Sequence, residues 1–279
     1  DQHIYPPARG CDANAGTAGH SERCTHGRPP RRPARAGRRQ SASDRYAAYR
    51  PDYPAALFAW LAAQCAERDT AWDCATGSGQ AALGLVPLFA RLIATDSTAS
   101  QIAHAAPHPR IDYRLAPAEA SGLESGTLDL GTVAQALHWF DPERFFAEAR
   151  RVLKPGGAIA AWTYALLDIE PQIDALVSDY YYNVIGPYWP PERRMVEDGY
   201  RSLHFPFAAI EAPRFEMRIE WSLEELLGYL GTWSATREYI KAQGADPRAA
   251  LAARLAPLWP DAQSRKPIRW PIHLRAGRA

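Results

Sequence analysis

The sequence predicts an α/β fold, a doubly wound and mostly parallel sheet with helical elements after its fifth strand, on three observations. Apolar strands and helices alternate from Thr70 to Tyr164. Within that span Thr70–Asp96, TAWDCATGSGQAALGLVPLFARLIATD, reads as strand, glycine turn, helix and second strand. Leu128–Ala134, LDLGTVA, is a continuous apolar run of the kind buried on both faces of a parallel sheet. Right-handed crossovers place all strand C-terminal ends on one edge, so Asp73, Asp96, Glu119 and His138 are expected to face one crevice.

Composition is that of a globular chain: 279 residues, 47% hydrophobic and 23% charged, enough for one large domain or a domain with a cap. A formal net charge of +1 gives no electrostatic case for nucleic acid. No run of about 18 apolar residues exists, so no membrane-spanning helix is expected. The chain starts at Asp1 with no charged-then-apolar leader, which predicts no signal peptide. Cys11, Cys24, Cys65 and Cys74 form no CxxC pair and read as reduced thiols of a cytoplasmic protein. Cys11, His20, Cys24 and His26 match no standard zinc spacing, so no metal site is expected.

Residues 1–43 are rich in Gly, Pro, Ala and Arg and show no periodicity, which predicts a disordered basic arm without assigned function. Order should begin near Asp44. Tyr46, Tyr49, Arg50 and Tyr53 precede a helix expected over Ala55–Ala66, with Pro54 in its first turn. Segment 44–54 is either a helix entry packing its rings on the body or a lid whose rings cover a ligand and whose Arg50 meets a carboxylate.

After Asp96 the reading gives a helix over Ser97–Ala106, a strand over Ile111–Leu115 and a turn at Ala116–Glu119. Asp141 caps a helix with Pro142 at its first position and Glu143 in its first turn. That helix runs to Leu153 and stops at Lys154-Pro155-Gly156-Gly157, before a fifth strand at Ala158–Tyr164. Further on come a helix over Ile173–Val184 and a strand over Phe215–Trp221. A Ser222/Glu225 capping box opens Leu223–Leu230, and helices follow at Trp233–Gln243 and Pro247–Ala256. The last strand, about Arg265–Arg275, holds two prolines and suits an edge or irregular position.

Two ligand classes fit the glycine turn. Gly77-Ser78-Gly79-Gln80-Ala81-Ala82 matches G-x-G-x-x-A, which allows an NAD(P)-dependent oxidoreductase on a dinucleotide fold. No tyrosine has a lysine four residues on to handle a hydride, however. The other class is a sulfonium nucleoside, S-adenosylmethionine. Asp96 lies about twenty residues past the first strand, where an acid reaches ribose hydroxyls in either case.

The motifs DCATGSGQ, ATD, APAE, LDLGTVAQALHWFD and RRVLKPGG, with YAAYRPDYP upstream, occur in order. Together they resemble the class I S-adenosylmethionine-dependent methyltransferases, and among these the branch of trans-aconitate methyltransferase-like enzymes acting on small acids. The resemblance runs from about Tyr46 to the C-terminus. It implies a Rossmann-like sheet of about seven strands with the last antiparallel. It further implies a methyltransferase domain over 44–279, with its core at 55–164 and substrate-cap elements at about 165–257. The implied reaction is methyl transfer from S-adenosylmethionine to a small-molecule acceptor, a carboxylate among the candidates, with no nucleic-acid or membrane partner. A degenerate fold used only for binding is a further reading.

Carried over by position, the resemblance implies that Asp73, Gly77 and Gly79 hold the methionine end of the cofactor, and that Asp96 with Ser97 takes the ribose. Ala118 and Glu119 would flank adenine, Ala134 would lie under the methionine moiety, and Tyr46 and Arg50 would belong to the lid. Ala75 stands where the family has glycine and is acceptable only if its φ is negative. Pro117 replaces a frequent aspartate, so the adenine amino group must turn to a backbone carbonyl or to Glu119. His138 is the candidate base for a hydroxyl or amine, with an unperturbed pKa of about 6.5. For a carboxylate it would only position the acceptor, and a purely structural histidine would donate to a nearby carbonyl. Trp139, with Phe140, either walls the methyl site or belongs to the core.

Overall fold

The computed structural model describes residues 51–261 and 263–279; the basic arm, Tyr46 and Arg50 lie outside them. The apolar runs become five parallel strands: β1 (Thr70–Cys74), β2 (Arg91–Asp96), β3 (Ile111–Leu115), β4 (Leu128–Ala134) and β5 (Leu153–Thr163). Between them lie α2 (Gln80–Leu85), α3 (Ala99–His104) and α4 (Pro142–Val152), with α1 (Ala55–Ala63) ahead of β1. Further elements are β6 (Ala208–Ala209), β7 (Phe215–Trp221) and β8 (Lys266–Arg278), and the sheet order is β3-β2-β1-β4-β5-β8-β6 with β7 on β8. β8 runs antiparallel to β5, so the sheet is the mostly parallel, Rossmann-like one that the sequence predicts.

Strand residues alternate between two apolar layers, as period 2 requires. Ala71, Ala94, Leu130, Ala158 and Ala160 join α1 residues Leu57, Phe58 and Leu61 in one cluster. Trp72, Cys74, Ile93, Val133, Ile159 and Ala161 join Phe145, Phe146 and Val152 of α4 in the other. Each face carries helices, and the sheet is doubly wound.

Polar clamps fix its register. Asp129, at the start of β4, accepts the backbone N–H groups of Asp69 and Thr70 at 2.9 Å each, and pairs with Lys154 of β5 at 2.7 Å. On the other side of β1, Trp72 Nε1 donates to Thr95 Oγ1 at 2.9 Å.

Several boundaries move. α1 ends at Ala63, three residues short of the expected end. β5 begins at Leu153 and takes in Lys154-Pro155-Gly156-Gly157, because Leu128 pairs with Leu153 across an irregularity before the regular ladder resumes at Leu130–Ala158. β8 extends to Arg278 and lies inside the sheet, contrary to the edge expected from its prolines. Arg269 N–H turns away from β7 to Asp168 O at 2.9 Å. Pro267 and Pro271 share its parity, so neither removes a donor from the β7 ladder.

The helix expected over Ile173–Val184 is α5 (Pro171–Asp179) followed by one π turn, Tyr180–Val184. Next come α6 (Arg193–Glu197), α7 (Leu223–Gly231) with its Ser222/Glu225 capping box formed, α8 (Ser234–Gln243) and α9 (Arg248–Leu255). Among the described residues no helix is long and apolar enough to cross a membrane.

Candidate active site

The strand ends of β1, β2 and β4 open onto a cavity of about 360 Å³. Its floor is the turn after β1. Thr76 N donates to Thr95 O at 2.8 Å, and Gly77 N donates to Asp96 Oδ2 at 3.0 Å, so the turn hangs on the end of β2. The other oxygen, Asp96 Oδ1, accepts from Thr98 N at 2.9 Å. Each carboxylate oxygen thus keeps a lone pair for a ligand, and Asp96 lines the cavity with Ser97, Gly77 and Ala134.

Gln80 adds a second acceptor. Its Nε2 donates to Pro51 O at 2.8 Å and Asp52 Oδ1 at 3.2 Å, which fixes the amide, and its buried Oε1 has no donor among the described residues. Among the described residues no lysine, arginine or histidine lines this cavity. The acceptor oxygens of Asp96 and Gln80 suit a positively charged ligand.

Asp73 is not in the crevice. It is fully buried beneath the turn, accepting from Thr76 Oγ1 at 2.6 Å and Thr132 Oγ1 at 3.0 Å. Burial pushes its carboxyl up to about 6 against those hydroxyl bonds. An acid raised in the folded state costs stability as pH rises from the unfolded pKa, about 4, through the folded one, about 6. The wild-type advantage over Asp73→Asn should therefore shrink by on the order of 3 kcal/mol between pH 4 and pH 7.5. Denaturant midpoints of both proteins at the two pH values check this, and parallel curves contradict it.

Ala75 corrects the sequence reading: its φ is +53° and it lines the cavity. The turn needs the left-handed region there because Cys74 still pairs with Thr95 while Thr76 N already bends back to the same strand. Left-handed alanine costs about 1–2 kcal/mol. Glycine restores about 0.4–1 kcal/mol of chain entropy to the unfolded state. Ala75→Gly should raise stability by a net amount of up to about 1 kcal/mol. A thermal scan would show a melting temperature about 1–3 °C higher, and a lower one would refute the strain.

The remaining expected residues divide. Gly79 is left-handed, and a side chain there would collide with the Tyr113 hydroxyl, so it shapes the turn from below. Ala118 is core, and Glu119 accepts from Asp141 N at 3.0 Å. Neither lines the cavity. Tyr53, of the segment read as a possible lid, lines it, and Thr98 and Gln101 line it unannounced by any motif.

A second cavity of about 220 Å³ adjoins the first, sharing Gln135 and Trp139 with it. Trp139 is 59% exposed and stands as the wall between them. His138 lies on a short 3-10 turn, Leu137–Trp139, buried in this second cavity. Its Nδ1 meets the Tyr200 hydroxyl at 3.0 Å and not a carbonyl. Burial, and then the charge of Arg193, lower its pKa to about 4, so the ring is neutral at physiological pH.

Arg193 and Arg237 complete this cavity, with aromatic walls that include Tyr164, Trp189 and Trp233. Arg193 lies 4.6 Å over the Trp189 ring and donates Nε to Tyr181 Oη at 2.6 Å, and that hydroxyl donates to Glu197 at 2.9 Å. The π turn at Tyr180–Val184 presents Tyr181 for this purpose. Among the described residues neither arginine has an ion pair, and no carboxylate lines the cavity. The buried Trp189 Nε1 has no acceptor among the described residues either.

A sheet of this order, with an acid at the end of β2 lining a cavity beside a glycine turn, is the arrangement of a Rossmann-like methyltransferase fold. The description "Methyltransferase domain" matches residues 72–161. A protein of Dictyostelium discoideum named as a methyltransferase is 36% identical over 210 residues, covering 74% of this chain and 80% of its own length. A solved structure from Anaeromyxobacter dehalogenans, titled a type II methyltransferase, has 47% identity and a TM-score of 0.78, covering 82% of this chain and 97% of its own. An uncharacterized methyltransferase of Mycobacterium tuberculosis is 34% identical over 120 residues, 43% of this chain and 49% of that protein. The chain spans about half the length of that mycobacterial relative. The chain belongs to the class I S-adenosylmethionine-dependent methyltransferases.

Its cofactor is therefore S-adenosylmethionine, and the NAD(P) reading gives way to the family. The residues present fit that cation: Asp96 would take the ribose hydroxyls, and the orphaned Gln80 Oε1 would accept from the ammonium of the methionine end. When bound, the cofactor supplies an electrophilic methyl on a sulfonium. The chain's own work is to hold an acceptor in line with that methyl and to exclude water.

Proposed function

We propose that the chain methylates a small-molecule acid whose carboxylate is seated between Arg193 and Arg237. The observation that carries this is the opposition of charge in two adjoining cavities. Among the described residues the cofactor side offers acceptor oxygens and no cation, and the acceptor side offers two guanidiniums without an ion pair and a buried indole N–H without an acceptor, with no acid in the lining. Guanidinium–carboxylate pairing is the strong, directional way to fix such a ligand. At about 220 Å³ the site is smaller than the roughly 300–1,000 Å³ of drug-sized pockets, and it suits a metabolite. The motif resemblance to the trans-aconitate methyltransferase-like branch supports the same substrate class. Cytoplasmic residence, without nucleic-acid or membrane partners, belongs to this reading, and Cys65 and Cys74 are free thiols.

The test is transfer of a labelled methyl group to a panel of small carboxylic acids, each paired with its neutral amide. Acids should accept label and amides should not. Equal labelling of the two sets would sink the anion reading.

A further inference from the structure

The second cavity has aromatic walls. Apart from Ala165, every hydrophobic residue of its lining is a ring: Trp139, Tyr164, Trp189, Tyr229 and Trp233. No leucine, isoleucine, valine or methionine reaches it among the described residues. Most of these rings are braced from behind. Trp233 lies 5.8 Å from Trp189, 5.7 Å from Tyr229 and 5.5 Å from Tyr181, centroid to centroid. Tyr229 in turn lies 5.5 Å from the fully buried Trp270. Tyr164, Tyr229 and Trp233 are themselves buried. Rings packed this closely keep their rotamers, so the walls hold one shape and do not repack around a ligand as flexible side chains would.

Trp139 differs from the others. It is 59% exposed, and its one ring contact among the described residues is His138, at 4.7 Å. Since it lines both cavities, its open surface lies at the boundary between cofactor and acceptor. Arg193 supplies the direction. Its guanidinium carbon is 4.6 Å from the Trp189 ring centre, and Tyr181 takes its Nε–H. Nη1 and Nη2 have no partner among the described residues, which leaves the end of the fork open to both oxygens of a carboxylate. A carboxylate conjugated to a ring lies in the plane of that ring, so a flat body suits a planar fork set among fixed rings.

We propose that the acid taken by the second cavity is a single-ring aromatic monocarboxylate, and that Trp139 selects it by stacking against the ligand ring. The proposal rests on the acid reading of this cavity and adds the body of the molecule to its charge. About 220 Å³ leaves room for one ring. Aromatic pairs are attractive beyond the area they bury, because the positive edge of one ring meets the negative face of another. A saturated ring of equal carbon number covers at least as much area and lacks that term. An aliphatic polyacid would bring further charges against aromatic walls, where only the exposed Arg237 remains to meet them.

Proton NMR titration of the full chain with S-adenosylhomocysteine present reads affinity and stacking together. Benzoate should bind about 2–12-fold more tightly than cyclohexanecarboxylate, and its ring protons should move upfield on binding. It should also bind more tightly than trans-aconitate and than its own neutral amide, benzamide. Trp139→Leu keeps an apolar wall and removes the aromatic face. In that variant the benzoate preference should disappear while the affinity for cyclohexanecarboxylate stays, which also shows that the variant is folded. Cyclohexanecarboxylate or trans-aconitate binding as tightly as benzoate to wild type overturns the aromatic assignment and leaves the acid reading standing. A benzoate preference that survives in Trp139→Leu overturns the role of Trp139. Benzamide matching benzoate overturns the carboxylate instead, and with it the acid reading. If none of these compounds binds, both readings fall.

Discussion

Asp96→Ala is expected to weaken S-adenosylmethionine binding by about 10–150-fold, the equivalent of about 1.5–3 kcal/mol for hydrogen bonds to a charged group. The residue closes β2, is 8% exposed, and faces the cofactor cavity. Its two oxygens already hold Gly77 N and Thr98 N, so the variant also frees two backbone donors of the turn. Part of the loss will therefore appear as a lower melting temperature of the free protein. Calorimetric titration of the full chain, beside thermal scans without ligand, separates the two effects. Asp96→Asn is the sharper probe, because it keeps one acceptor and sets an amide N–H against one of the backbone N–H groups. An affinity within twofold of wild type for both variants would remove Asp96 from the cofactor site.

Arg193→Met should reduce binding of a small aromatic acid, benzoate as the probe, by about 10–150-fold while leaving cofactor affinity unchanged. Arg193 lines the acceptor cavity and not the cofactor cavity, which is why the two affinities should separate. Methionine keeps much of the stem that packs on Trp189 and Tyr181, so the change removes charge more than volume. Arg237 is exposed at the same cavity, and solvent screening limits Arg237→Met to about 2–5-fold. A second readout concerns His138. Its pKa is depressed to about 4 by burial first and by Arg193 second, so Arg193→Met should raise it, short of the unperturbed value because burial remains. The imidazole would then be protonated over a wider acidic range, and an unchanged NMR titration of His138 would contradict the contact.

The elements that were legible are those whose signal is local. β3, β4 and β7 have the bounds their apolar patterns predict, and Asp141 and Ser222 cap the helices that follow them. Asp96 could be found because its distance from the glycine turn along the chain is set by one strand–helix–strand unit. Asp73 could not be placed, because a strand residue next to a ligand turn points either up into the crevice or down into the layer. Thr132 of β4, which settles that choice, is 59 residues away. Ala75 misled for a related reason: φ at one residue of a turn follows from where both neighbouring strands are tied.

The sequence by itself determined the doubly wound sheet and brought the glycine turn and Asp96 to one cavity, since periodicity and short spacings are properties of contiguous chain. Only the tertiary structure brought together the residues around the second cavity. Gln135 belongs to the end of β4, Arg193 to α6, Tyr200 to the turn after it and Arg237 to α8, and no spacing joins them. They meet because the elements after β5 fold back over the strand ends, and burial there leaves one histidine uncharged. Charge complementarity across two cavities is a property of packed space, and the order of residues along the chain does not contain it.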